Sequence, residues 1–173
     1  MVTLIHHVGT TDYVLLVHDE DALWGLVGVQ ETALAGMLGI SSVANIIASV
    51  TMARHLGLGR GDNVVTIATD GFDRYPSVIE DLRRRAGGQF ESQRARWRIT
   101  PFAQSTPSEI LDVRGREQKA RLHRQKEAVW TRLGDSPDLL RRMQGQEFWE
   151  EEAGKTAAID RDYRERRGPL PAG

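Results

Sequence analysis

Residues 38–75 read LGISSVANIIASVTMARHLGLGRGDNVVTIATDGFDRY, and this stretch decides the fold prediction. From 43 to 56 apolar residues recur at the three-and-four spacing of a helix that packs on a core. Residues 63–68 form a short apolar and β-branched run, which is typical of a strand buried on both faces. The polar residues 69–75 follow directly, where ligands bind in open parallel sheets. The stretch therefore predicts a helix, a buried strand and a candidate ligand loop.

The elements before this stretch favour the α/β class. Residues 13–17 read as a strand, and the acidic run that starts at Asp19 is a strong helix start. Strands that alternate with helices indicate a partial open, mostly parallel sheet with flanking helices. Because two parallel strands do not make an independent core, we expect this sheet to be only part of a larger one.

The composition of the chain changes along its length. Aliphatic residues concentrate before residue 80, and Arg, Glu, Asp and Gln dominate after it. Such a change marks the end of a compact core and the start of solvated helices. We therefore divide the chain into four parts, which are an α/β part (1–85), an irregular linker (86–106), a polar helical tail (107–165) and a frayed C-terminus (166–173).

Length and charge exclude several classes of function. The 173 residues suffice for one domain, and the 23 basic residues balance the 24 acidic ones, so nothing favours a nucleic-acid partner. There is no cysteine, so disulfides and thiolate metal sites are excluded. The first residues do not resemble a secretory signal, and no run is long enough to span a membrane. We expect a cytoplasmic protein without a membrane partner.

Two motifs carry a resemblance to a known family. They are Gly39-Ile40-Ser41-Ser42 and Asp70-Gly71-Phe72-Asp73-Arg74-Tyr75, in this order around the predicted helix and strand. Together they resemble the C-terminal part of fold-type-II pyridoxal-phosphate enzymes, most closely cysteine synthase and its cysteine-synthase-like relatives in the tryptophan synthase β-like superfamily. The resemblance covers residues 5–82 and, more loosely, 147–156. It departs at Val43, where the family usually has glycine.

The resemblance implies a cofactor and a substrate class. The cofactor is pyridoxal phosphate, and the reaction is β-replacement or lyase chemistry on an amino acid, which belongs to amino-acid metabolism. Asp70 occupies the position where cysteine synthases carry the serine that meets the pyridine nitrogen, and Gly39, Ser41 and Ser42 would lie beside the cofactor. Each has a structural alternative, since Asp-Gly forms turns and a serine here can cap the helix.

The groups that this chemistry also needs are missing. Fold-type-II enzymes use a Schiff-base lysine and a glycine-rich phosphate loop. The only lysines are Lys119, Lys126 and Lys155, all in the predicted tail, and no such loop occurs. The resemblance therefore implies a truncated or split enzyme that is inactive alone, with no catalytic residue assigned, whose partner is a separate N-terminal half or a second copy. The alternative is a non-catalytic interaction or regulatory domain derived from that fold.

The histidines do not predict a metal site. His6, His7 and His18 are the candidate ligands in the first part of the chain. No carboxylate or cysteine group accompanies them at ligand spacing, which structural and catalytic zinc sites require. We predict no bound metal.

Overall fold

The computed structural model describes residue 4 and residues 6–97, 100–103 and 110–167. These residues form two compact units. The central unit is Leu15–Leu111, and the terminal unit combines Met1–Val14 with Asp112–Gly173.

Helices make up most of the described chain. In the central unit they are α1 (Asp19–Val29), α2 (Ile40–His55), α3 (Pro76–Ala86), α4 (Phe90–Trp97) and α5 (Thr100–Ala103). In the terminal unit they are α6 (Arg116–Arg132), α7 (Pro137–Arg142), α8 (Gln146–Gly154) and α9 (Thr156–Arg167). The strands β1 (Tyr13–Leu15) and β2 (Ile110–Asp112) pair in a two-stranded antiparallel sheet.

The predicted α/β fold with a mostly parallel sheet is wrong. The described residues are mostly helical, and their strands are the antiparallel pair β1 and β2. The expected buried strand, 63–68, is an exposed segment: the exposed fraction is 89% for Val65 and 71% for Ile67. A strand forms only where a neighbour accepts its backbone hydrogen bonds, and within the described ranges none lies beside this segment.

The helix predictions fared better before residue 87 than after it. Helices α1, α2 and α3 confirm the expected helices near 19–27, 43–56 and 77–85. The predicted irregular linker contains α4 and α5, and residues 98, 99 and 104–109 lie outside the described residues. The helix expected from 107 to 133 is in fact β2 followed by α6, because the chain is extended at Gly115 and only then turns into a helix.

The core of the central unit depends on a close approach of α1 to α2. A Cβ atom at Gly25 would lie 2.8 Å from Val43 Cγ1, so only glycine allows this separation. The contact starts a buried cluster of aliphatic residues, Leu26, Val29, Leu38, Val43 and Ile47. A second cluster joins α1 to α3 and α4 through Trp24, Val27, Leu82 and Phe90. Phe72 and Tyr75 pack against the first cluster, so residues 69–75 are attached to α1 and α2.

The terminal unit has a smaller core. Val8, Val113 and Leu122 form a buried cluster that attaches the N-terminal segment to α6. Trp149 of α8 donates its indole N–H to the Met143 carbonyl at 2.9 Å. Helix α9 buries no residue. Packing in this unit is therefore concentrated on α6.

Replacing Gly25 with alanine tests the close approach of the two helices. We expect Gly25→Ala to lower the free energy of unfolding by about 1–3 kcal/mol, because the new methyl group overlaps the Val43 side chain. Gly59→Ala is the matched control, since a Cβ atom at Gly59 meets nothing within 4 Å. Urea unfolding of both variants measures the difference, and an equal stability of the two would contradict the tight contact.

Candidate functional site

The two motifs that carry the family resemblance meet in the central unit. The Gly39 N–H donates to the Asp70 carbonyl at 2.6 Å. A Cβ atom at Gly39 would lie 2.5 Å from Tyr75 Cε2 and 2.9 Å from the Asp70 carbonyl oxygen, so the backbones approach more closely than any other residue would allow. We call Gly39, Ser42, Thr69, Asp70 and Tyr75 the Asp70 junction.

Ser42 and Asn45, which belong to α2, bond the residues just before Asp70. The Ser42 hydroxyl is 1% exposed, accepts the Thr69 N–H at 2.8 Å and lies 3.3 Å from the Thr69 hydroxyl. One turn later, Asn45 donates its side-chain amide to the Ile67 carbonyl at 3.0 Å. Residues 67 and 69 are thus held against the first turns of α2 by two side chains.

The Asp70 carboxylate is half-exposed and has two neighbours. The Tyr75 hydroxyl donates to Asp70 Oδ2 at 3.3 Å, and Arg74 Nη1 lies 3.8 Å from the same oxygen. Partial burial of the Tyr75 hydroxyl and then the Asp70 charge raise the pKa of Tyr75 above its ordinary value. Tyr75 therefore stays protonated at neutral pH and orients the carboxylate.

The structure brings three of the four predicted site residues together. Gly39, Ser42 and Asp70 belong to the junction, whereas Ser41 points to an exposed surface. Neither serine caps α2, because the N-cap is Gly39 and no side chain bonds there. The role of these residues as cofactor contacts stays a prediction.

Pyridoxal phosphate would need a lysine, a phosphate loop and a group that meets its pyridine nitrogen. The central unit alone offers only the last of these among its described residues. Residues 15–111 contain no lysine that could hold the cofactor covalently. Gly39 is covered by the Tyr75 ring, and Ser42 already bonds Thr69, so both are used within the chain. Asp70 does fit, since a half-exposed carboxylate can accept a hydrogen bond from a protonated pyridine nitrogen. The anchoring groups would have to come from elsewhere.

A second group of ionisable side chains, which the sequence did not predict, lies in the terminal unit. We call His6, His7, His123 and Lys126 the histidine–lysine cluster. Lys126 is 2% exposed, donates from Nζ to the His6 carbonyl at 2.9 Å, and lies 5.7 Å from the centre of the Trp149 ring. Burial lowers the pKa of Lys126. A lysine in a helix whose other cations are mostly arginines was the one available signal.

Two histidines of this cluster, His6 and His7, contact neighbouring side chains. His7 stacks on Trp149 with ring centres 4.7 Å apart, and His6 Nε2 lies 2.5 Å from the Thr11 hydroxyl. Burial, followed by the charge of Lys126, lowers the pKa of both His6 and His123. Both effects disfavour the protonated form of His6 and His123.

Comparisons with protein-family models, curated proteins and solved structures found no match to this chain. In the described ranges, no group of three or more His, Cys, Asp or Glu side chains is placed to hold a metal ion. No helix among the described residues is long and apolar enough to cross a membrane.

Replacing Ser42 tests how the junction is held. We expect Ser42→Ala to lower the free energy of unfolding by about 1 kcal/mol, since it removes the acceptor of the Thr69 N–H. The Thr69 amide should also exchange faster with solvent. The neighbouring Ser41→Ala is the control and should change stability by less than about 0.5 kcal/mol, because Ser41 is exposed. Unchanged exchange at Thr69 in the Ser42 variant would contradict the contact.

Proposed function

We propose that this chain is the C-terminal portion of a split pyridoxal-phosphate-dependent enzyme of the cysteine-synthase type. On this proposal it is inactive alone and works only when it docks onto a polypeptide that supplies the lysine and the phosphate loop. The observation that carries the proposal is the segment 63–68, which has no regular secondary structure, is largely apolar and exposed, and ends at the Asp70 junction.

The segment has the properties of a strand without a sheet. Val64, Val65 and Ile67 have the β-branched side chains that strands favour, and all three are exposed. Backbone–backbone hydrogen bonds to 63–68 are absent among the described residues. A β-strand from another polypeptide would satisfy these groups and cover the side chains, which is the strand-addition mode of recognition. A partner with an open sheet edge is therefore the kind of partner that fits.

The Asp70 junction would then lie at the end of the added strand. Strand ends are where ligands bind in open sheets. When bound, pyridoxal phosphate withdraws electrons from the α-carbon of an amino acid. Asp70 would accept a hydrogen bond from the pyridine nitrogen, and Tyr75 would keep its carboxylate oriented. The contribution of this chain would be this one contact and the surface around it.

A non-catalytic interaction domain is the second candidate. The observation that favours it is that Gly39 and Ser42 are fully used in contacts within the chain. The central unit would then retain a docking segment but no working cofactor site. Both candidates require that 63–68 binds a partner, and they differ in whether the complex has activity.

Co-expression tests the shared requirement. The full chain is produced together with the N-terminal portion of a cysteine synthase, cut before its own Gly-Ile-Ser-Ser motif. We expect the two polypeptides to co-purify and Val65→Asp to abolish co-purification, because it places a charge on the paired segment. Leu34→Asp, at an exposed position elsewhere in the central unit, is the control and should still co-purify. Failure to co-purify contradicts both candidate functions.

Activity of the complex separates the two candidates. With pyridoxal phosphate, O-acetylserine and sulfide, a split enzyme should produce cysteine, and Asp70→Asn should slow turnover about ten- to a hundredfold while the complex still forms. This range corresponds to loss of a charge-assisted hydrogen bond. Asp70→Ser, which restores the usual residue of the family, should keep more activity than Asn. A stable but inactive complex would retain the interaction domain and reject the split enzyme.

A further inference from the structure

The histidine–lysine cluster attaches the N-terminal segment to α6 through positive groups. Lys126 Nζ donates to the His6 carbonyl at 2.9 Å, and Lys119 Nζ donates to the Gly9 carbonyl at 2.5 Å. Between these two points Val8 is fully buried beside Leu122. The segment 6–11 is thus held by two ammonium–carbonyl bonds and one apolar contact.

The charges that act on the two titrating histidines are all positive. The charges of Lys126 and His7 lower the pKa of His6. The charges of Lys126, His6, His7 and Lys119 lower the pKa of His123. From α8 the facing group is the Trp149 ring, which carries no charge. Each protonation of these histidines therefore adds a positive charge beside a buried ammonium group.

The nearby carboxylates act on other groups. The charge of Asp12, which follows segment 6–11 in the chain, contributes to the raised pKa of Arg114. Glu127, which follows Lys126 in the chain, lies 3.3 Å from Arg141 of α7. In the part of the chain that the structure describes, no carboxylate forms a salt bridge with Lys126. The cluster consequently lacks a negative group that would stabilise an added proton.

We propose that the cluster is an acid-operated clasp: when His6 and His123 gain protons beside Lys126, segment 6–11 leaves α6 while α6 itself stays folded. Release separates the three cations and returns both histidines and the Lys126 ammonium to water. Release also exposes the buried Val8 side chain to water, and this loss of burial keeps the clasp closed at neutral pH.

The direction of the pH effect follows from proton linkage. Burial and the neighbouring charges hold the pKa of both histidines below the ordinary value of 6.5 in the closed state. Well above pH 6.5 the two histidines are neutral in both states, so they do not weaken the closed state. As the pH falls through about 6.5 the released state binds more protons at these histidines than the closed state does, and the closed state loses stability.

Hydrogen exchange of the full chain tests the clasp. The amides of Thr10 and Thr11 donate within the segment, to His7 O at 3.3 Å and to Val8 O at 3.2 Å. After correction for intrinsic rates, we expect their protection to fall about tenfold per pH unit below 6.5 for each linked proton. Amides in the middle of α6 should keep their protection. Protection of Thr10 and Thr11 that is independent of pH, or an equal loss throughout α6, would overturn the proposal.

Histidine variants assign the effect to the cluster. His123→Gln and His6→Gln should each make the loss of protection with falling pH less steep. His55→Gln, at the exposed end of α2, should leave it unchanged. In the unaltered chain, NMR titration should place the pKa values of His6 and His123 below the ordinary value of 6.5, a reading that does not depend on whether a variant folds. Values for His6 and His123 at or above 6.5, or a His55 variant that removes the pH effect, would refute the clasp.

Discussion

The hydrogen bond from the Gly39 N–H to the Asp70 carbonyl is the constraint on which the central unit depends. It joins the start of α2 to a loop thirty-one residues later, and the Tyr75 ring closes over the glycine at a distance that no Cβ atom permits. Because α2 is itself fixed by the close approach at Gly25, the position of Asp70 is set by two glycines. Substitution of either glycine would move the carboxylate together with the backbone.

The same junction explains why the segment 63–68 is held in place although it pairs with no strand among the described residues. Ser42 and Asn45 bond its last residues, so the chain arrives at Asp70 in a fixed direction. Upstream, water must satisfy the backbone groups, and Val65 and Ile67 remain in contact with solvent. At about 25 cal/mol per Å² of apolar surface, burying these two side chains under a partner would contribute a few kcal/mol. Exposed apolar, β-branched residues with unpaired backbone groups are a liability for aggregation unless something covers them.

Sequence reasoning succeeded where structure is local and failed where it depends on distant partners. The helices α1, α2 and α3 follow from apolar spacing and charged ends, which act within one turn. The hydrogen bond between Gly39 and Asp70 was not predicted. A strand at 63–68 cannot be inferred from its own residues, because a neighbour must accept its hydrogen bonds. The histidine–lysine cluster joins residues 120 positions apart, His6 and Lys126, and no spacing rule covers such a pair.

The choice of lysine at position 126 gives that cluster its chemical character. An arginine keeps its charge at any pH relevant to proteins, so burying one beside two histidines would oppose their protonation permanently and call for a carboxylate. A buried lysine has a lower pKa and a compact ammonium, which a single carbonyl and an aromatic face can accommodate. Helix α6 carries arginine at its exposed positions 116, 121, 124 and 132, where a permanent charge costs nothing. At its one nearly inaccessible basic position it has lysine, whose Nζ donates to a single backbone carbonyl.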